Sequence, residues 1–171
     1  VASRIPRIAM ATAQHNLSDY DPISVPSGAG RHFALVVSEW NLPITDALRR
    51  GAIETLVKHG VAEADIVEVW VPGSFELAAG AQFLLERGGL DGVLCLGSVV
   101  RGETPHFDFV CHGATKGIME VGLKFSVPVI FGVLTDDTME QARERSGGKH
   151  GNKGVDCAVA ALKMAALKAS G

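Results

Sequence analysis

The feature that most narrows the fold is an alternation. Short apolar runs recur along the chain, each followed by a segment whose apolar residues return at helical spacing. Phe33-Ala34-Leu35-Val36-Val37 is the first run and Ile66-Val67-Glu68-Val69-Trp70-Val71 the second. Gly92-Val93-Leu94-Cys95-Leu96-Gly97 is the third, and residues 127–134 form the fourth. Such runs suit strands buried on both faces, the environment of a parallel sheet. Pro43 opens a helix on which Ile44, Leu48, Ala52 and Leu56 share a side and which Gly60 stops. Further helices are predicted from about Phe75 to Arg87, from near Phe107 to Phe125, over Met139 to Arg145 and from Asn152 to Lys168. Strands joined by helices of this length form right-handed crossovers and so lie parallel. The expected fold is α/β, a three-layer α/β/α sandwich around a four-stranded parallel sheet. Pro128 marks a strand opening or a sheet edge.

This domain spans residues 31–171. Residues 1–30 are polar, turn-rich and without periodicity, and read as an N-terminal extension, either a loose tail or an arm that orders against a neighbouring subunit. Met10 is a candidate start, with residues 1–9 an added or precursor segment.

Composition removes several classes of function. Charged residues are 20% of the chain and the formal net charge is −3, with no basic stripe interleaved with aromatics, so a nucleic-acid partner is excluded. No apolar run approaches the ~18 residues of a membrane span, and no secretory signal precedes the domain. Cys95, Cys111 and Cys157 lack CxxC spacing and read as reduced, buried thiols of a cytoplasmic protein, the alternative being a nucleophilic cysteine. No GxGxxG fingerprint occurs, which lowers a dinucleotide-binding reading.

In open parallel sheets ligands bind beyond the carboxyl ends of the strands. Here those ends carry Ser38-Glu39-Trp40-Asn41, the segment Val71 to Glu76, the segment Gly97 to His106, and Gly132 to Thr135, so the chemically interesting residues share one rim. Trp40 is either a packing residue or a flat surface for a planar heterocycle, and Asn41 a helix cap or a ligand contact. Glu76 sits at a helix start, where a carboxylate is favoured anyway, but Gly73 and Ser74 before it offer groups to a hydroxyl-rich ligand. The segment from Arg101 to Asp108 links a strand to a helix whose free N–H groups can hold a phosphate. Thr104 adds a hydroxyl, and Glu103 contributes through its backbone. His106 is the one obvious proton carrier on this rim, since an imidazole can both give and take a proton, and Asp108 either orients it or caps the helix. His59, His112 and His150 read as surface or capping residues. Arg145 and Lys153 bracket a glycine-rich loop with Lys149 and His150, a solvated connection or an anion site. The residues alone thus describe a domain for a phosphorylated metabolite and a planar ring, without naming the reaction.

The segments Ser38 to Asn41, Val71 to Glu76, Gly97 to Asp108 and Gln141 to Gly154, in this order, closely resemble the lumazine synthase family over residues 33–167. The resemblance implies a flavodoxin-like sandwich. It also implies condensation of 5-amino-6-(D-ribitylamino)uracil with 3,4-dihydroxy-2-butanone 4-phosphate to 6,7-dimethyl-8-ribityllumazine, the penultimate step of riboflavin biosynthesis, with no cofactor or metal. By that resemblance Trp40, Asn41, Ser74, Phe75, Glu76, Ser98, Val99, Val100, Phe131 and Lys153 hold the ribitylaminouracil, with Phe131 supplied by an adjacent subunit. Glu103, Thr104 and Arg145 hold the phosphate, and His106 is the general acid/base. The family forms pentamers, some assembled into sixty-subunit icosahedral shells that take riboflavin synthase as cargo. The short connection at residues 146–152 favours the shell. Two other readings stay open: a riboflavin synthase of the archaeal kind, and a non-catalytic shell or flavin-binding protein.

Overall fold

The computed structural model describes residues 15–171; Met10 and its neighbours lie outside the described residues. Four strands, β1 (Phe33–Ser38), β2 (Ile66–Val71), β3 (Gly92–Val100) and β4 (Val129–Asp136), form one parallel sheet in the order β2-β1-β3-β4. Helices α1 (Leu42–Lys58) and α5 (Lys153–Ala169) cover one face, and α2 (Leu77–Leu85) and α3 (His106–Phe125) cover the other. The expected three-layer, flavodoxin-like α/β sandwich is what the chain forms.

Every residue of β1 is buried. Phe33, Leu35 and Val37 point into the α1/α5 layer with Leu94 and Leu96, while Ala34 and Val36 point into the α2/α3 layer with Val93 and Cys95. Each large apolar side chain buried this way contributes about 1.5–3 kcal/mol, so the two central strands carry much of the stability. β2 and β4 are the edges, and Pro128 directly precedes β4, where its missing N–H costs nothing.

Some boundaries differ from the periodicity, each for a tertiary reason. β3 runs on to Val100 because β4 pairs with it as far as Val100↔Asp136. β4 starts at Val129, since the Val127 N–H closes the end of α3 on Gly122 O. A 3-10 turn over Ser74–Glu76 precedes α2, which begins two residues later than expected. Between α4 (Met139–Arg145) and α5 the chain folds into a tight antiparallel pair, β5 (Ser146–Gly148) and β6 (Gly151–Asn152), where a plain loop was expected. Of the N-terminal extension, the described part packs on its own domain. Leu17 N–H donates to His150 O at 2.7 Å, the Tyr20 hydroxyl meets His59 Nε2 at 3.1 Å, and Val25 is buried.

The start of α5 is pinned to α1. Asn152 Nδ2 donates to Ala47 O (2.9 Å), and its Oδ1 caps α5 by accepting from Gly154 N–H (2.7 Å). A side chain at Gly154 would run into the carbonyl of Leu48, a backbone atom inside a helix that has no room to yield. Gly154→Ala is expected to destabilise the protein by about 2–3 kcal/mol through overpacking. In thermal denaturation that is a fall in Tm of roughly 5–10 °C; an unchanged Tm would show that α1 and α5 are not locked here.

Candidate active site

The sheet order reverses between β1 and β3, because the chain runs outward from β1 to β2 and then returns past β1 to β3. The crevice outside the carboxyl ends at such a reversal is where open α/β sheets bind ligands. A cleft of about 660 Å³ opens there, lined among others by Trp40, Asn41, Ser74, Phe75, Glu76, Ser98, Val99, Val100, Thr104 and His106. That volume suits a small organic ligand.

Trp40 is 71% exposed, so it is not a packing residue; its ring is a free wall of the cleft. Asn41 holds a left-handed backbone (φ 60°) and makes no side-chain cap to α1, which corrects its reading as a plain helix cap. Instead its Nδ2 donates to Ser98 O (3.0 Å), tying the loop after β1 to β3 across the crevice. Asparagine tolerates this backbone better than most residues.

Phe75 is also exposed, and its ring lies on α3 at Gly113, where a Cβ would stand 2.7 Å from the ring. Glycine at that position is what lets the aromatic wall settle. The Ser74 and Ser98 hydroxyls are buried yet have no hydrogen-bond partner among the described residues. Buried hydroxyls are nearly always partnered, so two orphans in the wall of one cleft are unusual and mark that wall as a place where polar groups are held against the ordinary preference.

Arg101 organises the loop between β3 and α3. Its Nε donates to Asp137 (2.7 Å), its Nη1 approaches Asp108 (3.4 Å), and its guanidinium stacks 4.2 Å from the Phe107 ring centre. Asp108 is therefore engaged by Arg101, neither orienting His106 nor capping the helix. Pro105 occupies the cap position of α3 without a side-chain cap bond, and the His106 N–H donates to Thr104 Oγ1 at a long 3.4 Å.

Not every candidate residue reaches this cleft. Glu103, Phe131, Arg145 and Lys153 do not line it. Phe131 is half-buried on edge strand β4 and lines a second, apolar groove with Met119, Leu123 and Leu167. Lys153 Nζ is bound to Asp156 (2.6 Å); burial pulls its pKa down, but the partners outweigh this and the net shift is upward, so it stays charged. Arg145 donates from Nη1 to Gln141 O (3.1 Å) and lies 3.7 Å from Asp136 Oδ1. His150 pairs with Glu144 at 3.5 Å.

Sequence reasoning missed Asp136, the last residue of β4, which is buried and has Oδ2 unpartnered among the described residues. Burial, with Asp137 assisting, pushes its carboxyl above the ordinary range against the pull of Arg145. Two adjacent aspartates closing an apolar strand were the available signal. Among the described residues no group of three or more His, Cys, Asp or Glu side chains is arranged to hold a metal ion, and no helix is long and apolar enough to cross a membrane.

Fold and cleft together define a doubly wound α/β domain with a small-molecule site at its topological switch point. Comparison with known sequences sharpens that class. The profile of the 6,7-dimethyl-8-ribityllumazine synthase family matches residues 30–169. Proteins named 6,7-dimethyl-8-ribityllumazine synthase from Porphyromonas gingivalis and Cytophaga hutchinsonii are 55% and 54% identical to this chain, over 93% and 92% of it and 99% and 98% of their own lengths. One from Parabacteroides distasonis is 55% identical over 91% of this chain and 97% of its own. The chain belongs to the 6,7-dimethyl-8-ribityllumazine synthase family, and is an enzyme, a transferase of riboflavin biosynthesis.

The thiols stand apart from this chemistry. Burial pushes Cys157 up to about 12 and Cys95 higher still, whereas Cys111 is only partly buried and less raised. At pH 8 the native protein should give at most one equivalent with a thiol-specific chromogenic reagent, and all three after denaturation. Two or more fast equivalents in the native state would contradict the buried, protonated assignment.

Proposed function

We propose that the chain joins 5-amino-6-(D-ribitylamino)uracil to 3,4-dihydroxy-2-butanone 4-phosphate, releasing 6,7-dimethyl-8-ribityllumazine, phosphate and water. The observation that carries this reading is the cleft at the β1/β3 crevice, where a free indole and an imidazole share one space lined also by Ser74, Phe75, Glu76 and Ser98. Trp40 stacks on the pyrimidine. Ser74, Phe75 and Glu76, with Asn41, hold the ribityl chain and the uracil, and Ser98, Val99 and Val100 line the ring pocket. The loop through Glu103 and Thr104, at the uncapped start of α3, takes the phosphate with Arg145.

The reaction needs proton transfers rather than a redox centre. A ring amine attacks the ketone and loses water to form an imine, phosphate is eliminated, and the second amine closes the ring on the remaining carbonyl with loss of a second water. His106 carries these protons, because an imidazole both gives and takes one near neutral pH. Most of the acceleration comes from holding two substrates side by side, an effect that reaches about 7 kcal/mol or more in well-oriented systems.

Phe131, Arg145 and Lys153 lie outside the cleft of their own chain. A neighbouring copy supplies Phe131 to the ring site, with Arg145 and Lys153 from the same side. The enzyme therefore works as a homo-oligomer, a pentamer that assembles further into a sixty-subunit shell.

Both substrates mixed with the purified protein should yield the lumazine chromophore faster than they react spontaneously, and no catalysed excess would overturn the reading. Lumazine supplied alone should give no riboflavin. His106→Ala should lower kcat by about a hundredfold, the modest end of what a positioned acid/base supplies, while ring binding stays nearly unchanged. Trp40→Ala should weaken ring binding by about threefold to tenfold through lost stacking, and Trp40→Phe should restore most of it. Either pair behaving otherwise would remove that residue's role.

A further inference from the structure

Under the function proposed above, Arg145 grips the phosphate, and the role of Asp136 rests on that assignment. Arg145 makes both its contacts through one nitrogen, Nη1: a hydrogen bond donated to Gln141 O and the 3.7 Å approach to Asp136 Oδ1. Its Nε and Nη2 make no hydrogen bond among the described residues. They leave one edge of the guanidinium as a two-donor fork, the geometry that holds a phosphate.

Asp136 sits behind that fork and has little freedom. Its side chain is 8% exposed, and its carbonyl accepts the Arg101 N–H (2.9 Å) at the last rung between β3 and β4. A buried carboxylate oxygen without a partner is costly and calls for a reason. The other charges nearby are already matched. Asp137, adjacent in the chain, takes Arg101 from the loop after β3, and Asp108 of α3 shares the same guanidinium. Lys153 of α5 is held by Asp156. Among the described residues Arg145, from α4, is the cation that faces Asp136. At 3.7 Å their interaction is coulombic and not a hydrogen bond, so it offsets the charge of Arg145 without occupying the fork.

We propose that Asp136 is a positioning residue acting through Arg145: a buried counter-charge, behind the guanidinium, that limits how tightly the fork holds phosphate and so lets the eliminated anion leave. Without it Arg145 would present a full uncompensated charge to a dianion. With it, each binding event also brings the dianion towards a fixed carboxylate.

Sulfate is a suitable probe, since it stays a dianion over the working pH range. At pH 7 the Asp136→Asn enzyme should bind sulfate about threefold to tenfold more tightly than the wild type, the size expected for one unit charge removed at several ångströms in a partly screened site. Its KM for the phosphorylated substrate should fall while kcat does not rise. The pH profile separates this from a packing effect. Protonating Asp136 in the wild type does what the substitution does, so the wild-type-to-variant ratio of sulfate Kd should shrink towards one on acidification. Because the carboxyl lies above the ordinary range, that convergence begins at higher pH than for an exposed aspartate. Asp136→Ser should act in the same direction if the Asn variant folds poorly.

Sulfate affinity that is unchanged or weaker at pH 7 in the folded variant, or a ratio independent of pH, would overturn the proposal. Arg145→Ala distinguishes the two layers. Wild-type sulfate binding in that variant would remove the phosphate role of Arg145 itself. Weakened binding there, without tightening in the Asp136 variants, would remove only the role of Asp136.

Discussion

Two strands buried on both faces govern this molecule. With β1 and β3 covered above and below, their backbone groups can pair only with neighbouring strands, and helices must sit on each side to keep water out. Helical crossovers then force every strand to point the same way, so every loop that leaves a strand's carboxyl end emerges on one rim. The cleft follows from that constraint. It forms where the sheet order reverses, between the two most deeply buried strands.

The rim itself is held by polar interactions that differ in kind from the core. Asn41 bridges the crevice to β3 from a backbone conformation few side chains accept. Arg101 gathers Asp108, Asp137 and Phe107 around the loop that carries Thr104 and His106. These contacts fix the walls, whereas the Trp40 indole stands exposed in the cleft, and the Ser74 and Ser98 hydroxyls, buried in its wall, have no protein partner among the described residues. Fixed walls around an open aromatic face are the pattern of a site preorganised for ligand. The residues assigned to the site but lying outside its cleft belong to β4, α4 and the start of α5, with Glu103 on the loop as the exception. Phe131 and Arg145 thus lie on or just after β4, an edge strand of the sheet.

Much of this was readable in advance, and the failures share a cause. Runs such as Phe33 to Val37 declare a buried strand because their own neighbours in sequence are apolar, and helices such as α3 declare themselves by spacing over many turns. The rim residues could be grouped because strand direction alone places them there. Ser98 to Val100 looked like loop, since nothing local says that Asp136 will pair opposite them. Asn41 looked like a cap because its real partner, the carbonyl of Ser98, is 57 positions away. The β5/β6 pair was hidden among glycines that read equally well as a turn.

By itself, then, the sequence determined the element types, the parallel sheet, the shared rim and the family, because each depends on local periodicity or on motifs that survive as strings of residues. Strand order, the crevice chosen for the cleft, the orphaned hydroxyls and the burial of Asp136 beside Arg145 were decided only by the tertiary structure. Those depend on which distant segments come together, and on how much water they exclude when they do.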